Sequence, residues 1–527
     1  MRNKQMQDFL WWRDGVIYHI YPRSFLDTNG NGMGDLAGIT ARLDYLAGLG
    51  VDALWISPFY PTPDADFGYD ISNYVDVDVR FGSLADFDTL VEASHKRGIR
   101  IILDLVLNHT SNQHSWFLES RANKTNPKHD WFIWRDQIPN NWKSIFGGKA
   151  WTFDEERGQY YYHMFLKEQP DVNWHNPEVR KAQMDVLRFW LERGVDGFRL
   201  DVFNIYFKDE QLRNNPRKFG WIAFLQQKHI YDIDRPELES VLEEMRGIVD
   251  KYPERYIVGE TFSATRAKII RYNSTGRLHA AFDFNFLRNR YKSDKFLAAI
   301  KNWEKLSEDA RIYPNYVLSN HDVRRSATRY AKGEGDARIK IIMAMLLSVR
   351  GTPFLYYGEE IGMRDISLRR SEIVDPPGKK YWPLYKGRDG CRSPMQWDDS
   401  ENAGFSTVKP WLPVHPNFEK RNVAAQQEDE SSLLHFTRKL IALRKENIAL
   451  RRGRFIPLPD LPRQLMAFLR QSDDETILVA LNFCKKKKTL VLPKRSWEVL
   501  FSKNREGEID EDELFLLPYE VLLLKAK

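Results

Sequence analysis

VDGFRLDV (Val195–Val202) is a short apolar run that ends on an arginine, Arg199, and a carboxylate, Asp201. Seven comparable runs share its form: GVIYHIYP (15–22), VDALWIS (51–57), IRIILDLVLNH (99–109), RYIVGET (255–261), AAFDFNF (280–286), NYVLSNHD (315–322) and TPFLYYGE (352–359). Several are close to continuously apolar, as parallel strands are when both faces are buried. Between them lie helix-period segments such as LAGITARLDYLAGLG (36–50). There Leu36, Ile39, Leu43 and Leu46 recur at three- and four-residue steps, and Gly48 and Gly50 supply a stop. Eight strand–helix units predict a (β/α)8 TIM barrel over residues 1–108 and 175–452.

Two connections are too long to be plain turns. Residues 109–174, after the third strand, are rich in Trp, Tyr, Asn and Pro and predict an inserted small domain. Residues 363–432, after the eighth, predict an irregular lid or rim. Beyond the helix pattern SSLLHFTRKLIALRKEN (431–447) the period changes to alternation, in LMAFLRQ, TILVALNF, TLVLP and YEVLLLKA. These runs predict a C-terminal antiparallel β-sandwich over residues 453–527.

The 527 residues are 42% hydrophobic and 29% charged, a globular composition too long for one ordinary domain. The 16 Trp, 23 Tyr and 31 Phe suit a large core, and also walls for a flat ligand such as a sugar. A net charge of +6 over this length is a mild excess, unlike the basic stripe of a nucleic-acid binder. The one lysine run, Lys485–Lys488, stands among alternating apolar residues and reads as the exposed face or end of a strand. Cys391 and Cys484 are far apart, which argues against a disulfide framework or a zinc cluster. MRNKQMQDFLWW shows no signal-peptide pattern, and IIMAMLLSV (341–349) is too short to span a bilayer. The expectation is a cytoplasmic protein with small-molecule partners, neither nucleic acid nor membrane, its oligomeric state open.

Active sites of such barrels lie at the C-terminal ends of the strands. The residues there are His109, Arg199 with Asp201, Glu260, and His321 with Asp322. Arg199 argues against a metal cluster beside Asp201, and no glycine-rich phosphate cradle follows a strand. Glycoside hydrolysis fits better, because it needs one ionised and one protonated carboxyl on either side of the bond. A guanidinium favours the charged form of Asp201, while burial and neighbouring carboxylates favour a proton on Glu260. Asp322 then stabilises a sugar ring that becomes positive in the transition state.

The motifs VDGFRLDV, IVGET, SNHD and DLVLNH resemble the four signature regions of the α-amylase superfamily of glycoside hydrolases. The similarity runs over essentially the whole chain. It implies Asp201 as nucleophile, Glu260 as general acid/base and Asp322 as transition-state stabiliser, with His109, Arg199 and His321 on the same glucose unit. Retention of configuration would follow, with carboxyls about 5–5.5 Å apart. Within the superfamily the chain looks most like the α-glucosidase and oligo-1,6-glucosidase branch. In DFGYD, Tyr69 matches a stacking platform and Asp66 a hydroxyl grip. In GRDGCRSPMQWD, Arg392 resembles the arginine that pairs with that aspartate and closes the pocket. Phe146, Phe165 and Gln169 match positions in the pocket wall. Val202 after the nucleophile tilts towards α-1,6 bonds, and VRRSATRY after Asp322 departs from relatives with a proline there. The resemblance thus implies an exo-acting α-glucosidase, with a trehalose- or sucrose-type transglucosylase or isomerase as the alternative.

DTNGNGMGD (27–35) has the oxygen spacing of half an EF-hand, but the bidentate Glu of the twelfth position is replaced by Gly38, and a strand precedes it. The resemblance implies a structural Ca²⁺ or Mg²⁺ on Asp27, Asn29, Asn31, the Met33 carbonyl and Asp35. Two charged ligands imply weak binding, and a metal-free loop held by Asx turns is the alternative. No organic cofactor is expected.

Overall fold

Residues that face the barrel axis alternate along each strand with residues that face the surrounding helices, and both sets are apolar. The computed structural model describes residues 9–527 apart from 263, 264, 283 and 311. Its strands are β1 (Ile17–Ile20), β2 (Ala53–Ile56) and β3 (Arg100–Leu105). Then come β4 (Trp134–Arg135), β5 (Trp151–Asp154) and β6 (Gln159–Tyr162), which form a small antiparallel sheet of their own. β7 (Gly197–Leu200), β8 (Tyr256–Glu260), β9 (Ala280–Phe282), β10 (Asn315–Val317) and β11 (Thr352–Tyr356) complete the main sheet. The eight main strands run parallel in the order β10-β11-β1-β2-β3-β7-β8-β9, and contact between β9 and β10 closes the ring.

Inside the ring pack Ile17, Ala53, Trp55, Ile102, Val258, Phe282, Val317 and Phe354. Their strand neighbours Tyr18, Leu54, Leu103, Phe198, Ile257, Ala281 and Leu355 face outward into the helices. This two-sided burial is why the runs are nearly continuous, each large side chain contributing roughly 1.5–3 kcal/mol. The helices begin where short polar side chains satisfy free backbone N–H groups. Ser83 and Asp86 form a capping box on helix Leu84–Lys96, and Asn176 caps helix Pro177–Glu192 ahead of a proline at its first position.

The C-terminal strands are β12 (Arg454–Pro457), β13 (Leu465–Gln471), β14 (Thr476–Asn482) and β15 (Lys488–Val491). They continue with β16 (Trp497–Phe501), β17 (Glu508–Ile509), β18 (Glu513–Leu516) and β19 (Val521–Ala526). A six-stranded antiparallel sheet packs its Leu478, Ala480, Leu522 and Leu524 against Leu490, Leu514 and Leu516 of the β15–β18 pair. Lys485–Lys487 are exposed in the turn into β15. Among the described residues no helix is long and apolar enough to cross a membrane.

Two buried arginines brace the chain where the barrel meets the C-terminal sheet, and the second of them, Arg470, crosses between the two. Arg444, in helix Leu433–Glu446, donates to the carbonyls of Leu347 (3.0 Å), Val349 (2.9 Å), Leu450 (3.0 Å) and Gly351 (2.5 Å). Arg470 of β13 donates to the carbonyls of Ser348 and Gly453. Because those carbonyls have no water to turn to, Arg444→Leu should cost on the order of 3 kcal/mol or more. The expected result is a lower calorimetric unfolding temperature; an unchanged value would show that the carbonyls find other donors.

Candidate active site

The inward series of each strand continues past the apolar layer as polar side chains. On β7 it runs Gly197, Arg199, Asp201, and on β8 it runs Tyr256, Val258, Glu260. Register places Asp104 of β3 beside Arg199, so a buried acid meets a buried base. Arg199 donates to Asp104 Oδ1 (2.6 Å) and Asp201 Oδ1 (2.8 Å), and its other nitrogen contacts Glu260 Oε2. The guanidinium also lies 5.1 Å from the centre of the Trp55 ring. Asp104 accepts from the Trp55 indole (3.3 Å) and the Tyr69 hydroxyl (3.0 Å). That hydroxyl sits 2.8 Å from His321 Nε2, with the two rings stacked at 5.3 Å and 11°.

Asp66, Tyr69, His109, Asp201, Glu260, His321 and Asp322 line one cavity of about 380 Å³. Phe146, Phe165 and Gln169 wall it from the inserted segment. Gln169 Nε2 reaches Asp66 Oδ2 (3.3 Å) and His109 Nε2 (3.1 Å), and Phe165 meets Phe146 edge-on at 5.7 Å. A larger groove of about 1030 Å³ lies against the C-terminal sheet, but none of these carboxylates reaches it.

Two expectations change. The partner of Asp66 is Arg388 (2.6 Å), not Arg392. Arg388 also binds Asp375 (2.7 Å) and lies 3.3 Å from Asp322. Arg392 sits behind the cavity, 1% exposed, where it donates to the His321 carbonyl (2.8 Å) and Asp322 (3.0 Å). Both belong to GRDGCR, and the 3₁₀ turn Asp389–Arg392 points them to different places. Arg199 likewise supports the cavity from below without lining it.

The second change concerns charge. Burial pushes the Asp201 carboxyl up to about 6, outweighing the pull of Arg199. Since Arg199 touches Glu260 as well, the guanidinium does not by itself divide the two carboxyls into base and acid. Asp322 is the site's firmly ionised acid. Burial would raise it, yet His321, Arg388 and Arg392 together hold it well below the usual carboxylate range. Burial pushes both His109 and His321 down, the latter to about 3, leaving neutral imidazoles.

Sequence reading passed over Asp104, Arg388, Asp375, Tyr385 and Arg288. A lone acid inside IRIILDLVLNH was the available signal for Asp104; Tyr385 and Arg288, which line the cavity, stand in stretches with no motif. Val202, also on the wall, has φ 30°, an uncommon left-handed conformation for a β-branched residue. Helix Pro376–Tyr381, capped by Asp375, carries Lys380, which donates to the carbonyls of Phe146 (2.9 Å) and Gly147 (2.7 Å). The rim thereby clasps the inserted segment over the cavity.

In the Asp27–Asp35 loop every carboxylate oxygen accepts a donor. Asp27 takes the N–H of Gly30 (2.8 Å) and Gly32 (2.9 Å) and the Ser406 hydroxyl (2.6 Å). Asp35 takes the N–H of Thr28 (2.8 Å) and Gly38 (2.6 Å) and the Thr28 hydroxyl (2.8 Å). Asn29 and Asn31 accept from the N–H of Asn31 (3.1 Å) and Met33 (2.7 Å), which are Asx turns. Gly32, at φ 84°, leaves room for the Lys409 carbonyl, 2.6 Å from where a Cβ would stand.

Residues 19–453 match the family described as alpha amylase, catalytic domain, and residues 465–522 the alpha-amylase SusG C-terminal domain. A probable alpha-glucosidase of Rhizobium meliloti is 44% identical, the match spanning 96% of this chain and 95% of the relative. An oligo-1,6-glucosidase of Parageobacillus thermoglucosidasius is 39% identical over 98% and 99%. The crystal structure of an alpha-glucosyl transfer enzyme superposes with TM-score 0.92 at 42% identity, covering 99% of this chain and 100% of that one. With eight parallel strands, a carboxylate-lined mouth and relatives matched end to end, the chain belongs to the alpha-amylase catalytic-domain family.

Proposed function

We propose that the chain is a retaining, exo-acting α-glucosidase that removes terminal α-linked glucose from short oligosaccharides and disaccharides. The observation that carries the reading is the Asp66–Arg388–Asp322 bridge, which closes one end of a cavity holding Asp201 and Glu260. A blind end admits chain termini. Tyr69 offers a flat face to the terminal ring, and the neutral His109 and His321 offer hydrogen bonds to its hydroxyls.

In the first step an Asp201 oxygen bonds to the anomeric carbon as the glycosidic C–O bond breaks, and Glu260 gives its proton to the departing oxygen. Asp322, ionised beside two arginines, stabilises the positive ring between these states. In the second step Glu260 takes a proton from water, whose oxygen bonds to the same carbon and releases Asp201. Glucose leaves with its configuration kept. A transfer reading uses the same intermediate with a sugar hydroxyl replacing water. It is favoured by the apolar wall of Val202, Phe262, Ile269 and Val323 and by the likeness to an alpha-glucosyl transfer enzyme. New disaccharides outweighing glucose at high maltose would select it.

A structural Ca²⁺ or Mg²⁺ in the Asp27–Asp35 loop belongs to the same proposal. The donors are all oxygens, as a hard cation prefers: Asp27, Asp35, the Asn29 and Asn31 amides and the Met33 carbonyl. Among the described residues no three His, Cys, Asp or Glu side chains group as a ligand set, so the ion would rest largely on neutral oxygens and bind weakly. The free, buried thiols of Cys391 and Cys484 suit a reducing cytoplasm.

Asp201→Asn should retain the unfolding temperature and lose roughly 10³-fold or more in kcat on maltose, while the parent releases α-glucose as first anomer by NMR. Activity within tenfold of the parent would remove Asp201 from its role. Arg388→Met leaves buried Asp66 and Asp375 without their cation and should lower kcat/KM on maltose by about 10²-fold. Kinetics within threefold of the parent would refute the closed end. A chelator should lower the unfolding temperature by roughly 1–3 °C at little cost in rate; an unmoved temperature would exclude the ion.

A further inference from the structure

The barrel places a guanidinium without a partner opposite the closed end of the cavity. Arg288 lines the cavity and is exposed, and among the described residues it makes neither hydrogen bond nor ion pair. The cavity's other arginine, Arg388, is committed to Asp66, Asp375 and Asp322. Arg199 beneath the floor is committed to Asp104, Asp201 and Glu260.

Ring order fixes what Arg288 faces. Asp66 and Tyr69 follow β2, while Arg288 follows β9 and the short helix Phe284–Leu287. Counting β2, β3, β7, β8, β9 around eight strands, the two loops are diametrically opposed. β9 also lies between β8, which ends in Glu260, and β10, which leads to Asp322. A substrate whose terminal glucose rests against Asp66 and whose leaving oxygen meets Glu260 therefore sends its leaving group towards Arg288.

We infer that Arg288 is a specificity residue selecting α-glucosides whose leaving group carries an anion, a carboxylate or a phosphate. This deepens the glucosidase reading and rests on it. A guanidinium offers five N–H donors in a plane that matches both anions. Val202, Phe262, Ile269 and Val323, on the same lining, bring no charge that competes with Arg288 for the anion. Arg290 and Lys292, also exposed and with side chains that have no partner among the described residues, add attraction from outside. The four lining carboxylates would repel an anion near the sugar subsite, so the charge must sit at the far wall, where Arg288 is.

The test compares matched substrate pairs with the full-length enzyme: trehalose 6-phosphate against trehalose, and 2-O-α-glucosylglycerate against 2-O-α-glucosylglycerol. For at least one pair the parent should favour the anionic member by roughly tenfold or more in kcat/KM. Which pair does so separates phosphate from carboxylate. Arg288→Gln should bring that ratio close to one, Arg288→Lys should restore part of it, and added salt should shrink it. Ratios near one for both pairs in the parent, or a ratio unmoved in Arg288→Gln, would overturn the inference. Cleavage of p-nitrophenyl α-glucoside keeps the two readings apart. Its absence would sink the glucosidase proposal, whereas its presence without an anion preference would sink this inference alone.

Discussion

One guanidinium organises the mouth of the barrel. Arg199 is 1% exposed and stands among three carboxyls, Asp104, Asp201 and Glu260. Unpaired buried charges of this kind cost several kcal/mol each, so the four groups are stable only together. They come from three neighbouring strands: Asp104 from β3, Arg199 from β7 with Asp201 just past its end, and Glu260 from β8. The register of three neighbouring strands is therefore tied to the chemistry, and a slip of one residue would separate the charges. Trp55 and Tyr69 extend the same network to β2 and the loop after it, so that the Tyr69 ring is held by the group that holds Asp201.

A second cluster performs the corresponding task at the blind end. Arg388 joins two residues of the cavity lining, Asp66 and Asp322, to Asp375, which caps the rim helix. Lys380 on that helix grips the inserted segment. The cavity is consequently built by three parts of the chain that are remote in sequence. The apolar barrel supplies a rigid floor, and the two irregular insertions supply the shape.

Much of this was legible beforehand. The eight apolar runs all appear as strands, because burial on two faces leaves a plain compositional mark. The strand-end acids and histidines gather at one mouth, because period-two alternation carries Arg199 to Asp201 and Val258 to Glu260 on the inward side. What escaped was direction and balance. GRDGCR holds two arginines four positions apart, and a 3₁₀ turn decides which one meets Asp66; spacing carries no such information. The charge of Asp201 was read from its nearest cation, whereas burial acts more strongly and leaves the carboxyl near 6. Arg288 and Tyr385 lie on irregular chain, where no period marks a residue as facing a cavity.

Strand β8 contains Gly259 directly before Glu260, and a Cβ there would stand 2.3 Å from the Phe203 ring, just beyond Val202. The strand bearing Glu260 and the turn that follows Asp201 thus meet through the Phe203 ring, on the outer face of β8. Glycine at position 259 is what lets that ring lie against the backbone beside Glu260. Separation between two such carboxyls is what distinguishes direct attack on the sugar from attack by an intervening water. A side chain at position 259 would have to displace the Phe203 ring, so the seat of Glu260 beside Asp201 depends on a residue outside the cavity.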